Sequence, residues 1–168
     1  MKFFSANIDS LRKLYINQLQ MLLSAEEQIT QALPKMIGKA SDTQLKQAFQ
    51  SHLQETEVHV TRLEQILNED AGETKSIKCK VLTALVEEAE GMVMDASDES
   101  VRDAALIAAA QRVEHYEIAA YGAVRQFARI LGEAAQAQIL DQTIKEEKHA
   151  DRLLTEIADH VNPYAKAA

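Results

Sequence analysis

The chain has 168 residues, 46% of them hydrophobic, with 5 glycines and 2 prolines, which is enough for one well-buried core and too little for two comfortable domains. Aromatic residues make up 5% and tryptophan is absent, a usage that favours helix over sheet and predicts an all-α fold. A formal net charge of −8, with no long block of Lys and Arg, argues against nucleic acid and anionic lipid as partners.

Apolar spacing marks four long helices and a crossover. The first is expected over about residues 7–37, where Ile8, Leu11, Tyr15, Leu19, Leu22, Ile29, Leu33 and Met36 recur at threes and fours. Gly38 offers a stop, and Ser41 or Asp42 an N-cap for the next helix. That second helix, about 43–68, carries Leu45, Phe49, Leu53, Val60, Leu63 and Leu67 on one stripe. The stretch EDAGETKS, residues 69–76, then breaks the pattern. Residues 77–95 read as a shorter helix inside a connection far longer than the turns that join neighbouring helices.

The next long helix, about 99–131, is apolar on two sides. Ala105, Ala109, Tyr116, Ala120 and Phe127 form one stripe, while Ile107, Ala110, Tyr121 and Val124 form another, as in a central or interfacial helix. Gly132 breaks it. The last helix, about 134–160, turns Leu140, Ile144, Leu154, Ile157 and Val161 inward until Pro163 ends the pattern. A short connection, a long crossover and a second short connection describe a ferritin-like four-helix bundle, and an up-down bundle with an extra helix is the alternative.

No stretch approaches the apolar length that spans a bilayer, and the first residues, MKFFSANIDS, lack a signal-peptide core, so a soluble cytoplasmic protein is expected. Cys79 is the sole cysteine, which excludes an internal disulfide and a Cys-rich zinc site and favours a small core residue over a nucleophile.

The informative residues are charges that interrupt apolar stripes. At about 100° per residue Glu26 falls among Leu19, Leu22, Ile29 and Leu33, whereas Glu27 points outward. On the second helix His52, Glu55 and His59 share one flank; on the next, Glu114, Glu117 and Tyr121 share the stripe of Ile107 and Val124. On the last, periodicity turns Glu147 and Asp151 inward, leaves Glu146 at the margin and turns His149 away. A carboxylate buried alone costs several kcal/mol or becomes neutral, so each inward acid requires a metal, a buried cation or a hydrogen-bond network. All four helices supply one near mid-length, where antiparallel helices meet at one level. That is the construction of di-iron and di-manganese carboxylate bundles, and hard oxygen donors with one or two imidazoles suit iron or manganese.

The segments SAEEQITQALPKM (24–36), SHLQETEVHVTRLEQIL (51–67), VRDAALIAAAQRVEHYEIAAYG (101–122) and KEEKHADRLL (145–154) resemble the bacterial YciF/YciE stress-protein family of ferritin-like domains. The similarity covers nearly the whole chain. It implies a ferritin-like bundle, usually a homodimer, in the cytoplasm and associated with general or osmotic stress. It carries Glu26, Glu55, Glu114, Glu117, Glu147 and Asp151 as family positions. The wider ferritin and rubrerythrin pattern asks for Glu-x-x-His on two helices. Val58 stands where Glu55 would need its histidine, with His59 one place later, and EEKHADR (146–152) fits the pattern at Glu146 and His149 and also resembles the bacterioferritin ligand motif.

Three function classes follow. The first is a di-metal redox or storage protein, with two ions of iron or manganese held by Glu26, Glu55, His59, Glu114, Glu117, Glu147 and Asp151, with oxygen or peroxide as the small oxidant and with Tyr121 nearby. The second is a metal-free structural or interaction dimer in which the same acids pair with Arg112, His52 or His115. The third is a docking module that presents the acidic segment VEEAEGMVMD (86–95). No nucleophile–base pair, phosphate-binding loop or nucleotide motif is present, which argues against hydrolase or kinase chemistry.

Overall fold

The computed structural model describes residues 8–166. They form five helices: α1 (Leu11–Lys39), α2 (Thr43–Ala71), α3 (Lys80–Asp95), α4 (Glu99–Leu131) and α5 (Ala134–Ala165), with no strand among the described residues. Helices α1, α2, α5 and α4 surround one core in that order. Each neighbouring pair runs antiparallel. Arg12, at the start of α1, reaches Asp70 at the end of α2 and Glu133 between α4 and α5. At the other end of the bundle Asp103 of α4 reaches the α1–α2 turn. The crossover that carries α3 therefore runs the length of the bundle, which is the ferritin-like connection expected from the sequence. No helix among the described residues is long and apolar enough to cross a membrane.

The helix ends follow local chemistry. Ser10 caps α1 by accepting from the Lys13 amide, which starts the helix later than the apolar spacing suggests and leaves Ile8 outside it and 43% exposed; residue 7 lies outside the described chain. Gly38 does not end α1, which runs to Lys39 with Ala40 as its cap. Asp42 caps α2 through the Leu45 amide, and α2 continues past residue 68 to Gly72, whose φ of 68° is the left-handed turn glycine tolerates. Residues 77–79 precede α3, with Cys79 as its N-cap and the Ile77 amide donating to the Gln20 carbonyl. Pro163 does not stop α5. Its missing N–H falls in the exposed last turn, where one lost backbone bond is tolerated, and the helix ends at Ala165.

Two apolar clusters lie on either side of the bundle's middle. One gathers Tyr15, Leu19, Leu22, Leu63 and Leu140; the other Leu33, Phe49, Leu106, Leu154 and Ile157. The double apolar face of α4 is explained within one chain: Ile107, Tyr121 and Val124 face the core, while Tyr116 meets Cys79 ahead of α3, with its hydroxyl 3.1 Å from Sγ. Asp103 is 3% exposed and accepts from the backbone amides of Ser41 (2.8 Å) and Asp42 (2.7 Å), clamping the α1–α2 turn to α4. Asp103→Ala leaves both amides without their acceptor and is expected to lower unfolding stability by about 1–3 kcal/mol in urea titration, with Asp103→Asn losing less.

Candidate metal centre

Between the two apolar clusters the core turns polar. The stripe of α2 that reaches the interior is Leu45, Phe49, His52, Thr56, His59, Leu63 and Ile66, a strict alternation of fours and threes that puts both histidines inside. Leu53 and Val60, expected in that stripe, are half-buried instead. Glu26 of α1, Glu114 and Glu117 of α4 and Glu147 of α5 meet these histidines, and all six side chains are buried.

One group of donors consists of His52, Glu114, Glu117 and Glu147, and a second of Glu26, His59 and Glu147; within each group one donor atom from every residue lies within 4.8 Å of the others. Glu147 belongs to both. Its Oε1 is 2.9 Å from His59 Nδ1, and its Oε2 is 4.0 Å from His52 Nε2. His52 Nε2 is 3.2 Å from Glu114 Oε1. These contacts are close but poorly aligned for hydrogen bonding, so both His52 nitrogens, His59 Nδ1, both Glu117 oxygens and both Glu147 oxygens are buried without a hydrogen-bond partner. Glu26 Oε2 and Glu114 Oε2 are in the same condition. Buried polar atoms are rarely left so, and here their lone pairs converge.

The protonation of the centre follows from this crowding. Burial drives Glu117 well above the usual carboxylate range, and Glu26, Glu147 and Glu114 push it further. Glu114 is raised well above that range by burial, against the pull of His52. Burial raises Glu26 as well, although His59 and Tyr121 counteract it. Burial alone would lower the two imidazoles, yet Glu114 and Glu55 lift His52 to about 9, and Glu147 and Glu26 lift His59 to about 11. Burial and mutual attraction therefore favour the protonated forms of these groups.

Around the donors stands a supporting layer. The Tyr121 hydroxyl donates to Glu26 Oε1. Glu146 lies 2.8 Å from His59 Nε2 and accepts two bonds from Arg62, one of which also reaches the Thr143 hydroxyl. Burial opposes the charge on Glu146, but Arg62 and His59 prevail and hold its carboxyl well below the usual range. An ionised carboxylate behind an imidazole fixes the ring's orientation, as outer partners do for histidine ligands.

Glu55 and Asp151, expected as inward ligands, lie outside both groups. The Glu55 side chain is 39% exposed and stands 3.7 Å from His52 Nδ1, which lowers its carboxyl. After Glu147 the buried stripe of α5 continues to Ala150 and Leu154, which rotates Asp151 to the edge, where it meets exposed His115 at 3.3 Å and Gln111 at 3.4 Å. His149 is exposed, as periodicity indicated, and bonds with Arg152. Arg112 is outside as well, paired with Glu88 of α3. His52 was not singled out as a ligand from the sequence; its signal was the four-three alternation that places it seven residues before His59. A cavity of about 250 Å³ between α2 and α5, lined by Glu55 and His149, leads from the surface to His52 and Glu114.

An antiparallel four-helix bundle with a full-length crossover and inward glutamates and histidines at mid-height is a ferritin-like bundle. The chain belongs to the family described as domain of unknown function DUF892, whose model matches residues 10–166. It is 40% identical over 162 residues to protein YciF of Escherichia coli (strain K12), covering 95% of this chain and 98% of that one. The crystal structure of the E. coli stress protein YciF superposes with a TM-score of 0.87 at 39% identity, over 92% of this chain and 98% of that one. YcfI from Rhodopseudomonas palustris, for which a structural role has been suggested, gives a TM-score of 0.88 at 38% identity, over 91% of this chain and 98% of that one. A protein from Xanthomonas campestris pv. campestris shares the fold at 21% identity, with a TM-score of 0.72 over 90% of this chain and 93% of that one.

Proposed function

We propose that this chain is a stress-response protein of the YciF kind that holds two ions of iron or manganese inside the bundle and uses them in redox chemistry or metal handling. The observation that carries this reading is Glu147, a fully buried carboxylate with no hydrogen bond, common to two converging donor groups. His52, Glu114 and Glu117 would hold one ion, Glu26 and His59 the other, with Glu147 between them. The donor set is oxygen-rich with two imidazoles and no thiolate, which favours iron or manganese. Bound there, such ions supply one-electron chemistry toward oxygen or peroxide. The chain's own part is to orient His59 through Glu146 and Arg62, to hold a phenol proton at Tyr121 beside Glu26, and to keep bulk water away with two apolar clusters. Glu55 and His149 belong to the access route.

Metal content per chain after purification without chelator, followed by anaerobic ferrous titration and admission of oxygen, tests the reading. About two ions per chain are expected, with a new absorbance on oxidation. Glu26→Ala is expected to weaken one site, and Glu147→Ala to empty both. A chain that takes up neither iron nor manganese favours the second reading, a metal-free structural bundle. Its supporting observation is that imidazolium charge at His52 and His59 already faces Glu114, Glu26 and Glu147. Cytoplasmic location and a homodimer belong to both readings, and light scattering of the purified protein measures the latter.

A further inference from the structure

Helix α3 covers the bundle incompletely. Only Leu82 and Val93 of this helix are buried, and between them Leu85, Val86 and Ala89 are half-buried against a gap. The opposite wall sets Ala32 of α1 and Ala109 and Ala110 of α4 among larger apolar side chains, Ile29, Leu33 and Val113, and the alanines leave the space open. The result is a cavity of about 360 Å³ between α1, α3 and α4, within the size range of small-molecule sites. Its deep end is apolar up to Phe49 and Leu106 and stops at His52 and Glu114; its rim carries Lys35, Lys39, Glu90 and Met94.

The rim is the informative part. In a chain of net charge −8 it presents two lysines against one carboxylate. Lys35 spends its charge on Glu90 at 2.9 Å, but Lys39 has no ion pair among the described residues. Met94 is 81% exposed, a flexible apolar side chain at the mouth. A long apolar slot with one unpaired cation at its opening matches an amphiphile with an extended hydrocarbon tail and a single negative head. The reverse pose would take the head group out of water at the buried end of the cavity and leave the hydrocarbon tail among the charged side chains of the rim.

We propose that this cavity binds a straight-chain aliphatic carboxylate, tail inward along Ala109 and Ala110 and head at Lys39. The cavity ends at His52 and Glu114, two residues of the proposed metal centre, but its apolar walls and Lys39 do not depend on an ion there. It is tested on the full chain freed of metal with chelator, so that failure of one reading leaves the other standing. Dodecanoate, dodecanol and dodecylamine are titrated below their aggregation limits, with displacement of a fluorescent apolar probe and the thermal midpoint as readouts.

Dodecanoate is expected to bind most tightly, the alcohol about tenfold more weakly and the amine weakest, a spread set by one charge-assisted contact. Lys39→Gln is expected to bring the acid down to the level of the alcohol and to leave the alcohol unchanged. Ala109→Leu fills the slot and is expected to remove binding of all three while circular dichroism stays helical. Equal binding of acid and amine, indifference to Lys39→Gln, or binding that survives Ala109→Leu in a folded chain overturns the proposal. So does an absence of binding by every probe.

Discussion

Glu117→Leu is expected to make the metal-free protein more stable, raising its thermal midpoint by roughly 5 °C, and to abolish metal binding in the same molecule. Glu117 is fully buried and neither carboxyl oxygen has a hydrogen bond. Burial raises its pKa well above the carboxylate range, with Glu26, Glu147 and Glu114 adding to the shift, so in the empty site it stands as an unsatisfied neutral acid. Leaving such a group buried costs about 1–3 kcal/mol, and a leucine of similar volume removes that penalty. At this chain length each kcal/mol moves the midpoint by about 2–4 °C. With metal added the order should reverse. The parent gains about 2.7 kcal/mol when free ion exceeds its dissociation constant a hundredfold, whereas the variant gains nothing. Calorimetry with and without ferrous or manganous ion reads both halves. A Glu117→Leu protein that is less stable without metal would mean the acid serves the fold, and the structural reading would then lead.

How much of this centre the sequence discloses depends on where its signals lie. Glu26, Glu114, Glu117 and Glu147 were visible because each replaces an apolar side chain in a stripe whose other members are unambiguous. Glu55 and Asp151 were misplaced for one shared reason. A step of four from a known inward residue looks as good as a step of three, and only the neighbouring stripe decides. On α2 the decision is His52–Thr56–His59, which leaves Glu55 at the flank; on α5 it is Glu147–Ala150–Leu154, which leaves Asp151 outside. His52 was overlooked as a member of the buried donor group because the Glu-x-x-His pattern draws attention to the residue three after Glu55. Here the histidines are instead seven apart, two turns along one face. The crossover length declared the bundle topology, but the role of Asp103 could not be seen, since its amide partners lie some sixty residues away in the α1–α2 turn. The all-round apolar face of α4 likewise acquires its meaning only from the path of α3 across it.

The remaining large effect concerns pH, and it is present in the empty protein and cancelled in the filled one. In the empty protein His52 is raised to about 9 and His59 to about 11, so each contributes stability that is fully present below the ordinary imidazole value and lost as pH rises through the raised one. Glu114, Glu117 and Glu26 are raised too, and their protonated forms favour the fold in the same direction. Glu146 and Glu55 are lowered, so their contribution is present above the ordinary carboxylate value and lost on acidification. The thermal midpoint of the metal-free chain should therefore be highest in mildly acidic solution and fall steadily from about pH 6.5 to 9, by about 1.4 kcal/mol per pH unit for each proton that only the folded state retains. Ions compete with those same protons, so affinity for iron or manganese should rise about tenfold per pH unit for each proton displaced. Stability against pH should slope downward without metal and flatten with saturating metal, because the displaced protons are those whose retention gave the slope, and uptake should release protons into a weakly buffered solution. A flat profile without metal would mean that His52 and His59 are not held protonated by the carboxylates around them. Uptake without proton release would place the ions somewhere other than Glu114 and Glu117.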